Sequence, residues 1–189
     1  MIGQVLCESW RMNSLGRAIF LDRDGVLNRK APEGSYVASL SDVQLLPGSL
    51  EAIADLCRNR WKVFVATNQR GIARGLLSVA SVEQIHKHIL DQVRNSGGQI
   101  TQLYVCAHDY TDQCDCRKPK PGMLLRAARE HSLDLTRSWM VGDSVSDIQA
   151  GRSAGCKTAY LGEGSCEIVD IEAPSLQAFV EQLQQQHKS

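Results

Sequence analysis

Short apolar runs alternate along this chain with longer stretches whose apolar residues recur at helical spacing. "RAIFL" (17–21), "KVFVAT" (62–67), "ITQLYVCAH" (100–108), "SWMVG" (138–142) and "KTAYLG" (157–162) read as strands. "PGSLEAIADLCRNR" (47–60) opens on Pro47 and Gly48 and reads as a helix. "SVEQIHKHILDQVRNSGG" (81–98) opens on Ser-x-Glu and closes on Gly97-Gly98, which suits a capped helix. "KPGMLLRAAREHSL" (120–133), "SDIQAGRSAG" (146–155) and "SLQAFVEQLQQ" (175–185) complete the helices. Residues 28–47, with "PEGSYV" inside them, read as a loop or small hairpin. Strand and helix in alternation predict an α/β domain built on a doubly wound, mostly parallel sheet with right-handed crossovers. No insertion is long enough for a second domain or a cap. Residues 1–16 are read as an N-terminal extension, with Met12 an alternative start, and 17–189 as a single domain.

Composition narrows the partners. Lys+Arg and Asp+Glu both number 21 in 189 residues, so the formal net charge is zero. That balance argues against a non-specific nucleic-acid or membrane surface. No apolar run approaches the roughly 18 residues of a membrane span. The start, "MIGQVLCESWRMNSLGR", lacks a basic head followed by an apolar block, so a cytoplasmic location is expected. With neither a coiled-coil pattern nor an evident apolar patch, a monomer is expected. The 7 cysteines are an odd number, which in a reducing compartment suits thiols or metal ligands rather than a disulfide framework.

In open α/β sheets, ligands bind beyond the carboxyl ends of the strands. Asp22 and Asp24 follow the first predicted strand, Thr67 and Asn68 close the second, Arg117 and Lys118 come after the third, and Asp143 follows the fourth with Asp147 one turn on. Clustered carboxylates repel unless a proton or a cation neutralises them. Oxygen ligands from two or three carboxyls suit Mg²⁺, which keeps a preference for phosphate oxygens. Thr67 then offers a hydroxyl and Lys118 a point charge to the same phosphate. A screened carboxylate can attack phosphorus, and a neighbouring acid can protonate the leaving oxygen and activate water. Each piece alone reads equally as a turn or a helix cap. The four in this order, each directly behind an apolar strand, favour a phosphoryl-transfer site.

A second constellation is "CAHDYTDQCDC". Cys106 and His108 form one pair of alternate residues, Cys114 and Cys116 another, joined by a five-residue loop. Alternate residues of an extended chain point the same way, so each pair presents two ligands together. Four N/S ligands describe a closed tetrahedral Zn²⁺ site, the competing reading being buried thiols beside a loop histidine. The cluster ends immediately before Arg117-Lys118, so the metal is expected to be structural and to hold Lys118 in register. Cys7, Cys57 and Cys156 read as core or surface thiols, Cys166 is left unassigned, and His86, His88 and His131 read as surface residues.

At "DRDGV", "TN", the lysine of "RKP" and "GDSVSD" the sequence resembles the haloacid dehalogenase (HAD) superfamily of phosphohydrolases. The resemblance implies a capless HAD-like Rossmannoid fold, with Asp22 as nucleophile and Asp24 as general acid/base. It implies Thr67 and Lys118 on the transferred phosphoryl group. It also implies Mg²⁺ held by Asp22, Asp143 and the main-chain carbonyl of Asp24, with Asp147 behind them. The longer strings "DRDGVLN", "TNQRGIARG" and "CDCRKPKPGM", with the Cys/His cluster, resemble the D,D-heptose 1,7-bisphosphate phosphatases, a zinc-containing branch that includes the histidinol-phosphate phosphatases. That implies removal of the C7 phosphate from a heptose bisphosphate of surface-glycan synthesis. By the same resemblance Asn28, Asn68, Gln69, Arg70, Arg117 and Ser144 are expected at the substrate. The sequence departs from the family at Arg70, where Ser is usual, and at Ser144, where many members have Lys. The shortened zinc loop and Gly142-Asp143-Ser144 look more like members acting on the α-anomer. Histidinol phosphate, a polynucleotide 3′-phosphate, and a non-catalytic zinc-stapled binding module are the rival readings.

Overall fold

The computed structural model describes residues 15–162 and 168–186. Six strands form one sheet: β1 (Ala18–Leu21), β2 (Lys62–Asn68), β3 (Ile100–Cys106), β4 (Trp139–Gly142), β5 (Lys157–Leu161) and β6 (Ile171–Ala173). Their order is β3-β2-β1-β4-β5-β6, and every neighbouring pair is parallel. Four helices make crossovers, α1 (Ser49–Arg58), α2 (Val79–Asn95), α3 (Gly122–His131) and α4 (Val145–Ala154), and α5 (Leu176–Gln186) follows the last strand. The strand order reverses direction at β1 and β4, the central pair, and that is where an open α/β sheet leaves its crevice.

The period-two alternation of the central strands divides the core between two faces. Ile19, Leu21, Val63, Val65 and Val141 turn to one side and pack with Ile53 and Leu56 of α1, Ile85 and Ile89 of α2, and Phe179 of α5. Phe20, Phe64 and Met140 turn to the other and meet Met123, Leu124 and Ala127 of α3. The Phe20 and Phe64 rings stack 5.3 Å apart across β1 and β2. All four residues of β1 are buried, so β1 is the axis of the domain and its carboxyl end a fixed platform.

The structure departs from the sequence expectations in places. β6 is a further strand, too short for its alternation to stand out. Residues 28–47 take the loop reading rather than the hairpin: one antiparallel bridge joins Asn28 to Leu45, and a 3-10 turn spans Leu40–Asp42. Helix α2 starts earlier than Ser81, because Ser78 is its N-cap and accepts from the Ser81 amide at 2.9 Å. His86 is not a surface residue but lies buried on the inner face of α2, and His131 packs on the Phe64 ring at 4.9 Å. Cys156 is buried and Cys57 half-buried, as thiols of core and surface. Cys7, Cys166 and residues 1–14 of the expected extension lie outside the described residues. Gly16 is already tied to the domain, donating to Ser132 O at 2.9 Å. Among the described residues no helix is long and apolar enough to cross a membrane.

Candidate active site

Three of the central carboxylates come from β1 and β4. The Asp22 amide continues the sheet by donating to Val141 O at 3.0 Å, so the side chain leaves the strand end beside β4. Gly25 has φ +89°, and a Cβ there would collide with the Asp143 carboxylate; the turn after Asp24 can pass Asp143 only as glycine. Asp147 stands in the first turn of α4 and is wholly buried. Its Oδ2 takes hydrogen bonds from the Ser144 amide (3.1 Å) and hydroxyl (2.6 Å), a capping arrangement that fixes its other oxygen toward Asp22. Oxygens of Asp22, Asp143 and Asp147 all lie within 4.8 Å of one another.

Lys118 answers part of that charge. Its Nζ lies 2.8 Å from Asp22 Oδ1 and 2.6 Å from Asp147 Oδ1, and donates to Ala66 O at 2.7 Å. Asn68 grips the Lys118 backbone at both ends, accepting from its N–H and donating to its C=O, each at 3.1 Å. Burial opposes the charge on Lys118, yet Asp22 and Asp147 together hold its pKa above the ordinary value. Burial also raises Asp22 to about 7 against the pull of Lys118, with Asp147 adding to the rise. Burial raises Asp143 likewise, opposed by Lys30, whose Nζ sits 2.9 Å from its Oδ2.

Asp143 Oδ1 is buried with no hydrogen-bond donor among the described residues, while Oδ1 of Asp22 and Oδ1 of Asp147 each face the Lys118 ammonium. Three converging carboxylates fit a hard divalent cation.

Asp24 faces differently. Arg23 donates to both its oxygens, Nη2 reaching Oδ2 at 2.8 Å and Oδ1 at 3.0 Å. Gln69 Nε2 reaches Oδ2 at 3.0 Å, and Asn28 Nδ2 reaches Oδ1 at 2.9 Å. Gln69 Nε2 also donates to the Thr67 hydroxyl at 2.9 Å, which aims Thr67 from the end of β2.

The Cys/His cluster forms where β3 ends. His108 Nδ1 lies 3.2 Å from Cys116 Sγ and 3.6 Å from Cys106 Sγ, which is 3.7 Å from Cys114 Sγ. A tetrahedron with metal–sulfur bonds near 2.3 Å has edges of about 3.8 Å, so these four donors fit one tetrahedral ion. The loop they close feeds the site directly. Lys120 Nζ donates to Cys114 O at 2.8 Å, and Arg117 Nη1 to His108 O at 3.3 Å. On that loop the Tyr110 ring is stacked between the Arg70 and Arg117 guanidiniums, each 4.3 Å from its centroid. Arg70 Nε donates to Asp109 at 2.5 Å. Together these side chains form one wall of an open cavity of about 420 Å³ whose floor carries Asp22, Asp24 and Lys118.

The HAD-hydrolase-like family model matches residues 115–185. The D-glycero-beta-D-manno-heptose-1,7-bisphosphate 7-phosphatase of Pseudomonas aeruginosa is 41% identical over 77% of this chain and 81% of that protein. The enzyme of the same name from Bordetella bronchiseptica is 43% identical over 79% and 82%. The chain belongs to this family of phosphatases. The solved B. bronchiseptica D,D-heptose 1,7-bisphosphate phosphatase, complexed with magnesium and phosphate, superposes with a TM-score of 0.83 at 37% identity, covering 90% of this chain and 99% of that one. A HAD-like phosphatase from Mesorhizobium loti follows the same fold at 32% identity and a TM-score of 0.78, over 89% and 88% of the two chains.

Within this phosphatase family fold, Asp22, Asp24, Thr67, Lys118 and Asp143 meet at one sheet edge, as their positions behind strands predicted. Arg70, Arg117 and Ser144 line the cavity. Asn28 lies outside the cavity lining: it is fully buried and donates to Asp24. Gln69 and Asn68 reach the cavity edge but are spent on bracing Asp24 and Lys118. Sequence reasoning passed over Arg23, Lys30 and Tyr110 and read His86 as a surface residue. A charged residue between two strand-end aspartates was the one available signal for Arg23. Nothing local marks the other three.

Proposed function

We propose that this chain hydrolyses the C7 phosphate of D-glycero-D-manno-heptose 1,7-bisphosphate through a phosphoryl group carried on Asp22. One observation carries the reading. The Asp22 carboxylate lines an open cavity with one oxygen, Oδ1, held 2.8 Å from the Lys118 ammonium, and a second acid, Asp24, lines the same cavity two residues on.

An Asp22 oxygen attacks phosphorus, and the bond from phosphorus to the sugar oxygen breaks. Asp24 gives the departing alkoxide its proton. Asp24 then takes a proton from water, whose oxygen attacks the aspartyl-phosphate; inorganic phosphate leaves and Asp22 is restored. Thr67 and Lys118 hold the equatorial oxygens throughout, and Lys118 is held by Asn68. Asp22, Asp143 and the Asp24 main-chain carbonyl would hold Mg²⁺, with Asp147 against them; when bound, the ion neutralises the carboxylates and draws in phosphate oxygens. Zn²⁺ is the ion proposed for Cys106, His108, Cys114 and Cys116, in a structural role.

The substrate's second phosphate meets Arg117 and Arg70. Arg117 Nε is buried with no acceptor among the described residues, a donor a phosphate can satisfy. The relatives are named for the β-anomer, which favours β over the α preference expected from the short loop and Ser144. A monomer is the assembly proposed, and a cytoplasmic location suits reduced cysteine ligands.

Phosphate release with Mg²⁺ tests the reading. The panel holds both anomers of heptose 1,7-bisphosphate, histidinol phosphate, fructose 1,6-bisphosphate and a 3′-phosphorylated oligonucleotide. The β-heptose bisphosphate is expected to have the highest kcat/KM. Preference for histidinol phosphate would keep the chemistry and replace the substrate; release from none would bring forward a binding module.

A further inference from the structure

Arg23 is 1% exposed, yet carries a full charge between two aspartates. A buried guanidinium is costly unless every face is paired. Asp24 takes Nε and Nη2, and Gln69 Oε1 accepts from Nη2 at 3.2 Å. The remaining nitrogen, Nη1, meets Nε2 of His86 at 3.1 Å, from a residue 63 positions downstream on α2. His86 stands on the face of α2 that buries Ile85 and Ile89, and lies outside the cavity lining. Burial first, and the Arg23 charge second, push its pKa down to about 4, so at neutral pH the ring is uncharged and Nε2 is free to accept.

We infer that His86 is a positioning residue for the phosphatase reaction: by anchoring Arg23 Nη1 from behind, it fixes the direction in which Asp24 presents its carboxyl. The inference rests on the reading of Asp24 as general acid/base. Besides Asp24, His86 and Gln69 are the partners that hold the guanidinium, one on Nη1 and the other on Nη2. Without His86, Nη1 is left buried and unpaired, and Arg23 follows its strongest remaining partner, Asp24, rather than restraining it.

The test compares two substrates in one protein sample, so that the ratio of their kcat/KM values does not depend on how much protein is folded. An alkyl phosphate, the best substrate of the panel above, needs a proton on its leaving oxygen; p-nitrophenyl phosphate needs almost none. Wild type, Asp24→Asn, His86→Leu and His86→Gln are compared. Gln carries an acceptor at about the reach of Nε2, and Leu carries none. Asp24→Asn is expected to lower the alkyl-to-aryl ratio at least about a hundredfold. His86→Leu should lower it about tenfold, and His86→Gln should stay within about twofold of wild type.

If Asp24→Asn lowers the ratio but His86→Leu does not, His86 serves stability alone and the inference is overturned. If Asp24→Asn itself leaves the ratio unchanged, the acid/base reading fails and takes the inference with it. Should His86→Leu not fold, His86→Asn replaces it, since its shorter acceptor falls away from Nη1. Equal ratios for the Asn and Gln variants would overturn the inference as well.

Discussion

The Lys118 ammonium lies 2.8 Å from an Asp22 oxygen and 2.6 Å from an Asp147 oxygen, almost wholly out of water. One cation thus faces two acids, with Asp143 alongside as a third. Replacing Lys118 by Met leaves those carboxylates buried and unopposed. Breaking a buried pair from one side costs about 3–5 kcal/mol. Lys118→Met should lose stability of that order in urea denaturation, with added Mg²⁺ recovering part of it, and phosphate release should fall below detection. An unchanged urea midpoint would show that the pair is electrostatically idle.

Asp22→Asn keeps the size of the side chain and removes its nucleophilic charge. Turnover is expected to drop at least about a thousandfold, with the fold intact by circular dichroism and the cluster metal retained by elemental analysis. Full activity in this variant would sink the mechanism.

The metal cluster is predicted to act through the residues it precedes. Cys114→Ser with Cys116→Ser removes two of four ligands that stand within 4.8 Å of one another. Elemental analysis should show the loss of one metal ion per chain. Activity should fall with it, because the loop carries Tyr110 and Arg117 and leads into Lys118. Metal content equal to wild type would refute the assignment.

His86 makes stability depend on acid. Its folded pKa, about 4, lies below its ordinary value of 6.5, so between those pH values the unfolded chain binds more protons than the folded one. Stability from this group is therefore fully present above pH 6.5 and is lost as pH falls toward 4. The loss is on the order of 3 kcal/mol. Urea unfolding at several pH values between 7 and 4 should show a shallower decline in His86→Gln than in wild type. Parallel declines would contradict the burial of an uncharged ring.

Arg70 lines the cavity, stacked on Tyr110 and paired with Asp109. Arg70→Ser should raise KM for the bisphosphate about tenfold and change kcat little, as expected for a charge-assisted contact to the phosphate that is not transferred. Tyr110→Phe keeps the stacked ring and should leave both constants near wild type. A fall in kcat with KM unchanged in Arg70→Ser would move Arg70 away from the distal phosphate.

The five longer strands and all five helices were legible because each is long enough for its period to show. β6 was not, since Ile171–Ala173 is too short for alternation to be distinguished from loop. Of the two readings of 28–47 the loop holds, and its antiparallel bridge, Asn28 to Leu45, depends on a main-chain pairing that no local pattern encodes. Asp22, Asp24, Thr67 and Asp143 were legible as residues at strand ends, because a parallel sheet places all strand ends on one edge.

By itself, then, the sequence determined the alternating architecture, the catalytic edge and the Cys/His cluster, all of which follow from short-range periodicity and spacing. Only the tertiary structure decided which polar groups touch the chemistry and which brace it. Asn28 is buried and supports Asp24, and His86 turned from a surface residue into the partner of Arg23. The reason is physical: burial and hydrogen-bond partners are set where distant segments cross, and α2 meets the β1 turn only once the sheet has formed.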